Sequence, residues 1–518
     1  MAVNLTIYGG AGEIGGNKVL LEDGESRLLL DFGTSFSERA RYFEEFLVPR
    51  ASLGLLDPLV MDLLPPLRGL YRNDLLVSPE VWDRMRRHPH YREIPEVHGV
   101  LLSHAHLDHS GSISFLKETI PVYATRMTAF IAKAMEDVGG AGLEREVGYT
   151  SPRSPTDEGT LASDRTLYLQ RPFVFVDGPP ESQEALLFWG ASPTKSKALR
   201  PGPLLSAERV GKLPVRFFYV DHSIFGSCAF AVETSVGWVV YTGDLRLHGS
   251  QGHLTETFVR EAAVLRPAVL LCEGTNVAKK GVRERETSED AVHANALALI
   301  REAHGLVIAD FGPRHIERLI TFYRIAQESG RTLVILVKDQ YLLDAMRHAS
   351  GGPWVLEDMG DVRIYAERKG MISTVEGRIR NRYADRLVSP EEIHADPARF
   401  ILCLSFFDIK HLIDIDPLPG GLYIYSSSEA YEEEQVIDQR RLHNWLERFG
   451  FEHVGFERSE GLHASGHASC VDLLGIVRGI APHTLVPIHS KTPELYAEHL
   501  AGTGIQVIVP QAGVPIPI

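Results

Sequence analysis

Short apolar runs that stop at a single polar residue recur along this chain. Leu28, Leu29 and Leu30 end at Asp31, and Val100, Leu101 and Leu102 lead to His104. Phe217, Phe218, Tyr219 and Val220 lead to Asp221 and His222, while Trp238, Val239, Val240 and Tyr241 lead to Gly243 and Asp244. Leu270, Leu271 and Cys272 end at Glu273, and Leu485, Val486, Pro487 and Ile488 end at His489. Runs of this length and make-up predict buried strands. Each would deliver its last polar residue to a turn. Lys18 to Leu21 and Arg27 to Leu30 also read as strands. Residues 1–275 alternate strand and helix patterns. Residues 276–440 predict an inserted α/β region. Within it, Glu289 to Ala303 has helical character. Leu306 to Ala309, Leu333 to Val337 and Phe400 to Leu404 read as buried strands, and His315 to Ala326 and Glu434 to Phe449 as amphipathic. Residues 441–518 are expected to return to the first domain.

The polar residues are of one chemical kind. Residues 104–109 read His-Ala-His-Leu-Asp-His, followed by Ser110 and Gly111. His104 and His106, two positions apart, can reach one ion. Asp108 and His109 can turn to a second. Imidazole and carboxylate ligands suit zinc and also manganese. His222, Asp244, His489 and Asp31 are each weak signals alone, because a single histidine after a strand is usually a hydrogen-bonded loop residue. Together, in this order, they complete a dinuclear ligand set.

That order resembles the metallo-β-lactamase-fold hydrolases. Gly9-Gly10-Ala11-Gly12-Glu13-Ile14-Gly15-Gly16-Asn17 is similar to the glycine-rich opening of ribonuclease J and other β-CASP nucleases. No helical period follows this run, which separates it from a dinucleotide loop. Leu270-Leu271-Cys272-Glu273-Gly274-Thr275-Asn276 resembles the group's acidic strand-end motif. His463-Ala464-Ser465-Gly466-His467-Ala468-Ser469 matches the His-x-Ser-Gly-His signature of ribonuclease J-like members. Val486-Pro487-Ile488-His489 matches the final motif, with Ser490-Lys491 where Gly-Glu is usual.

The resemblance implies an α/β fold, a metallo-β-lactamase αββα sandwich with an inserted β-CASP α/β domain over residues 276–440 that caps the metal cleft. It implies two divalent ions, zinc first and manganese as the alternative. His104, His106 and His222 would hold one ion, and Asp108, His109 and His489 the other. Asp244 would bridge them, and Asp31 would orient a ligand imidazole. His467 would be the general acid, with Glu273 orienting it. Two such ions activate a water for in-line attack on a phosphodiester, leaving a 5′-phosphate. His463, Ser465, Gly466, His467 and Ser469 would help hold a 5′-terminal phosphate, with Ser427 and Ser428 as further candidates. Ser426, Ser427 and Ser428 read equally well as an ordinary polar loop.

Bulk properties set the frame. At 518 residues the chain exceeds one ordinary domain, and its 44% hydrophobic content supports filled cores. No apolar run approaches a membrane span. The opening Met-Ala-Val-Asn-Leu-Thr lacks a secretory pattern. Cys228, Cys272, Cys403 and Cys470 form no C-x-x-C pair and read as buried thiols of a cytoplasmic protein. A net charge of −15 argues against a generic nucleic-acid binder and places any RNA contact on a local basic groove. Lys279, Lys280, Arg283 and Arg285 are one candidate group. Arg363, Arg368, Lys369, Arg378, Arg380, Arg382 and Arg386 are another; the first reads equally well as a solvated face interleaved with Glu, while the second favours a groove because Arg378 to Arg386 is richer in one sign.

Residues 36–95 and 137–203 are long for the pattern and read as elaborations, either packed on the core or offering Arg84 to Arg92 and Phe188-Trp189 to bases. The resemblance thus implies a two-metal phosphodiesterase acting on single-stranded RNA, chiefly as a 5′-to-3′ exonuclease with endonuclease action also open. The alternatives are a DNA nuclease of the same architecture, a small-molecule metallohydrolase and an inactive scaffold subunit. No membrane partner is expected. The oligomeric state stays open, a homodimer included.

Overall fold

A computed structural model describes residues 3–44, 46–139, 142–180, 182–205, 207–278, 287–350, 359–428 and 433–518. The chain forms two compact units. The first comprises Met1–Leu247, Gln251–Glu284 and His467–Ile518, and the second His248–Ser250 and Arg285–Gly466.

The first unit holds two large sheets. One has eight strands, in the order Leu204–Leu205, Phe173–Phe175, Val122–Ala124, Val100–Leu101, Ser26–Phe32, Lys18–Asp23, Val3–Gly9 and Pro515–Pro517. The other has seven, in the order Arg209–Val210, Leu213–Tyr219, Cys228–Thr234, Gly237–Tyr241, Val269–Glu273, Thr484–Ile488 and Gln506–Val507. Side chains alternate between the faces of a strand. Leu28 and Leu30 therefore share a core with Phe230, Val232, Tyr241, Leu271 and Val486 of the other sheet. The opposite face of the seven-stranded sheet, with Ala229, Ala231, Leu270 and Cys272, buries Phe258 and Ala262 of helix Gly252–Leu265 and Leu473 and Val477 of helix Cys470–Ile480. Outside the eight-stranded sheet, Phe130 of helix Arg126–Val138 packs on Phe175 and Trp189. This is the αββα sandwich.

The second unit carries a parallel sheet of seven strands. Their order is Leu387–Val388, Val362–Tyr365, Thr332–Ile335, Phe400–Cys403, Val307–Asp310, Gly421–Tyr425 and Phe451–Val454. The central strands Thr332–Ile335, Phe400–Cys403 and Val307–Asp310 are buried on both faces and read as near-continuous apolar runs. Two expectations shift. The strand expected over Leu333 to Val337 stops at Ile335, and Val337 opens a helix whose first turn Asp339 closes by accepting from the Leu336 N–H at 2.9 Å. The return to the first unit comes at His467 rather than near 441, because Phe451–Val454 pairs in parallel with Gly421–Tyr425.

The two long segments belong to the first unit. Residues 36–95 form short helices at Phe36–Ala40, Leu56–Val60 and Glu80–Met85, and Leu67–Arg68 pairs with Arg92–Glu93. Within 137–203, Phe173–Phe175 is a strand of the main sheet, paired with Val122–Ala124, and so not an elaboration. Trp189 is buried against Phe130, Phe173 and Phe175, and Phe188 stacks on Phe130. These aromatics pack the core and are not offered to bases.

Candidate metal centre

The strand ends converge as the polar termini of the apolar runs require. His104 follows Val100–Leu101, and Asp108 and His109 lie on the short helix Leu107–Ser110. His222, Asp244 and His489 follow Leu213–Tyr219, Gly237–Tyr241 and Thr484–Ile488, three strands of the other sheet. Ligand atoms of His104, His106 and His222 lie within 4.8 Å of one another, as do those of Asp108, His109, Asp244 and His489. His106 Nδ1 is 3.1 Å from the Nε2 atoms of both His104 and His222. Asp244 Oδ2 stands between the sets. It is 3.0 Å from His109 Nε2, 3.6 Å from His489 Nε2, 3.7 Å from His104 Nε2 and 3.9 Å from His222 Nε2. A third group joins Asp244, Glu273, His467 and His489.

Two of these residues have left-handed backbone, Asp31 with φ 54° and His489 with φ 52°. Such geometry costs about 1–3 kcal/mol and persists where surroundings over-determine it. The Asp31 carboxylate accepts from Ser103 N at 2.7 Å, Ser103 Oγ at 2.6 Å and Tyr241 OH at 2.5 Å, and meets His109 Nδ1 at 2.6 Å. The His489 N–H donates to Gly10 O at 2.7 Å. The glycines make room for Asp108: a Cβ on Gly33 would sit 1.7 Å from Asp108 O, and one on Gly15 2.9 Å from Asp108 Cβ.

Electrostatics fit cation binding. Burial, reinforced by neighbouring imidazoles, pushes His104 and His222 well below the usual histidine range, which leaves neutral rings with lone pairs to give. Burial alone would raise Asp108 and Asp244, yet the rings of His109 and His489 hold both below the usual carboxylate range. Burial likewise opposes charge on His109, but Asp244, Asp108 and Asp31 raise it well above normal. Asp244 Oδ1 is buried and, among the described residues, has no hydrogen-bond partner. A buried carboxylate oxygen left unsatisfied, on a residue beside the neutral rings of His104 and His222, fits a cation site.

Residues 77–274 match the Metallo-beta-lactamase superfamily. The chain carries a metallo-β-lactamase domain. The chain is 21% identical to the protein named Ribonuclease J of Helicobacter pylori (strain ATCC 700392 / 26695), over 95% of this chain and 56% of the relative. Similarity to Ribonuclease J of Mycolicibacterium smegmatis is 24% over 99% of this chain and 74% of the relative, and to that of Thermus thermophilus 22% over 94% and 68%. The chain thus spans about half the length of the Helicobacter relative it matches. A crystal structure of a protein of unknown function from Enterococcus faecalis V583 shares the fold, with TM-score 0.66, 21% identity and full coverage of both chains.

Within this metallo-β-lactamase fold, His467 is held as the motif suggested. Its Nδ1 is 3.1 Å from each Glu273 oxygen. Burial opposes its charge, but Glu273 and Asp244 raise it to about 9. The phosphate-binding candidates divide. Ser469, in the first unit, spends its hydroxyl on capping helix Cys470–Ile480, accepting from Asp472 N and donating to Asp472 Oδ2. Its expected phosphate role therefore gives way to a helix cap. His463, Ser465, Gly466, Ser427 and Ser428 belong to the second unit. There His463 Nδ1 lies 3.4 Å from Ser426 O, and Ser465 O is 2.8 Å from His248 Nε2.

The basic groups fare differently. Lys279, Lys280, Arg283 and Arg285 lie outside the described residues. In the second group, Arg363, Arg368, Lys369, Arg380 and Arg382 each pair with an acid, which favours a solvated face. Sequence reasoning missed Ser103, Tyr241 and Thr275. Each stands within three positions of a site residue at a strand end, and that proximity was the available signal.

Proposed function

We propose that this protein is a metal-dependent ribonuclease that hydrolyses phosphodiester bonds of single-stranded RNA, chiefly from the 5′ end, in the cytoplasm. One observation carries the reading: two ligand sets share Asp244 and adjoin a histidine held by a buried carboxylate. The curated relatives' name supports RNA as substrate. His104, His106 and His222 hold one divalent ion and Asp108, His109 and His489 the other, zinc first and manganese second. Bound there, the pair supplies Lewis acidity toward the scissile phosphate and an activated water. Asp31 orients His109 through its Nδ1, leaving Nε2 for the ion. His467 faces Glu273 through Nδ1 and gives its proton to the departing 3′-oxygen. Glu273 and Asp244 favour the protonated ring over the neutral one. Four cysteines without disulfides agree with a reducing compartment, and among the described residues no helix is long and apolar enough to cross a membrane.

The test is a matched cleavage assay with Mn²⁺ or Zn²⁺ on end-labelled single-stranded RNA and DNA, each with a 5′-monophosphate or a 5′-hydroxyl. Mononucleotides released from 5′-phosphorylated RNA, and lost in an Asp108→Ala, His109→Ala variant, are expected. Internal products would reassign the enzyme as an endonuclease, and preference for DNA as a DNA nuclease. No metal-dependent cleavage of either polymer would overturn the nuclease reading.

A further inference from the structure

Thr275, two residues past Glu273, places one hydroxyl between two site histidines. Its Oγ1 is 2.9 Å from His489 Nδ1 and 3.2 Å from His467 Nδ1. A threonine hydroxyl has one hydrogen and two lone pairs. The other partners of the two rings decide how these are used. His489 turns Nε2 toward Asp108 Oδ2 at 3.3 Å and Asp244 Oδ2 at 3.6 Å. A nitrogen that is to hold a cation there must be bare, so the ring hydrogen sits on Nδ1 and faces Thr275. His467 Nδ1 lies 3.1 Å from both oxygens of Glu273. A bare nitrogen there would set its lone pair against a carboxylate, so this ring too carries its hydrogen on Nδ1.

His489 therefore directs its Nδ1–H at Thr275 Oγ1, while the Nδ1–H of His467 serves Glu273, with Thr275 Oγ1 beside it at 3.2 Å. The hydroxyl's own hydrogen has the His489 carbonyl, 3.5 Å away, as a long third partner. The backbone holds Thr275 in place, since its N–H donates to Glu273 Oε2 at 3.3 Å. Next to it, Asn276 Nδ2 donates to the carbonyls of His467 at 3.3 Å and Ala468 at 3.1 Å. Residues 273–276 thus clamp the segment that carries His467.

We infer that Thr275 is a positioning residue whose single hydroxyl sets the tautomer of His489, presenting its Nε2 to a metal ion. This rests on the metallohydrolase reading above. The arrangement differs from that of His109, whose outer nitrogen meets a carboxylate, Asp31, at 2.6 Å. A neutral acceptor lends less basicity to His489 than Asp31 lends to His109, the other imidazole proposed for the same ion.

The test uses the full chain with Thr275→Val, which keeps the branched shape without the hydroxyl, and Thr275→Ser, which restores the hydroxyl alone. Zn²⁺ affinity is measured by competition with a chromophoric chelator, and the ring tautomers by ¹⁵N shifts of His-labelled protein. Thr275→Val is expected to bind one of two zinc ions about 10- to 100-fold more weakly and to show mixed tautomers at His489, with an unchanged melting temperature in chelator. Thr275→Ser is expected to restore both. If wild type takes up two ions and Thr275→Val matches it in affinity and tautomers, the inference is overturned alone. Failure of Thr275→Ser to restore what Thr275→Val loses would also overturn it, by assigning the effect to packing. Wild-type protein that takes up no metal would overturn the functional reading, and this inference with it.

Discussion

Two buried clusters of charge lie in the first unit, and they are built on opposite plans. Around Arg72, with a side chain 1% exposed, each charge meets its opposite inside the protein. The guanidinium donates to Asp74 Oδ1 and Oδ2 at 2.9 and 2.7 Å, to Glu146 Oε2 at 2.8 Å and to Ser151 O at 2.8 Å. Arg153 then takes both Glu146 oxygens at 2.8 and 3.0 Å. Around Asp244 the acids face imidazoles, and one buried oxygen has no partner among the described residues. The first cluster is complete and fastens residues 36–95 to 137–203. The second is incomplete without a cation. Burial of charge does not by itself mark a functional site; the missing counter-charge does.

The largest test of this contrast is Asp244→Asn. RNA cleavage should fall by at least about 10³-fold. The roughly 3–4 kcal/mol that a well-bound ion adds to stability at saturating concentration should vanish from its denaturation curve. Arg72→Met should instead lose about 1–3 kcal/mol, because Asp74 and Glu146 lose their shared partner and Glu146 keeps Arg153 alone. That loss should be the same with or without chelator, as read by urea unfolding. A chelator-dependent loss at Arg72 would erase the distinction between the two clusters. Asp31→Asn should leave cleavage chemistry intact but weaken metal binding about 10- to 100-fold, measured by chelator competition.

Asp339 of the second unit offers a third solution, neutralisation by a proton. Burial raises its carboxyl to about 7. Between about pH 4 and 7 the folded chain then keeps a proton that the unfolded chain releases, so stability falls as pH rises through that window and levels above it. Asp339→Asn should reduce the difference in unfolding free energy between pH 5 and pH 8 by about 1–2 kcal/mol. An unchanged pH dependence would place the proton elsewhere.

The proposed ligands were legible in the sequence because His106, Asp108 and His109 share one hexapeptide with His104 and the others stand just past apolar runs, and chain order supplied the rest. Their supports were not. Tyr241 reaches Asp31 across 210 residues and Thr275 reaches His489 across 214, and a lone hydroxyl in a strand or turn carries no periodic signal. The end of the second unit was misplaced because the amphipathic helix Glu433–Phe449 and the strand Phe451–Val454 have the same pattern in either unit. Only the pairing of Phe451–Val454 with Gly421–Tyr425 assigns them. The Phe188-Trp189 pair misled because a core aromatic and a stacking aromatic look alike until their neighbours are known.

Asp108 and His489 meet across 381 residues of chain. At ordinary rates of translation, roughly 20 to 80 s pass between the synthesis of the two. For that interval the growing polypeptide lacks the last residue of the cluster. A site that takes two ions would therefore be completed only near the end of synthesis, and a polypeptide released early would carry the other histidines without it.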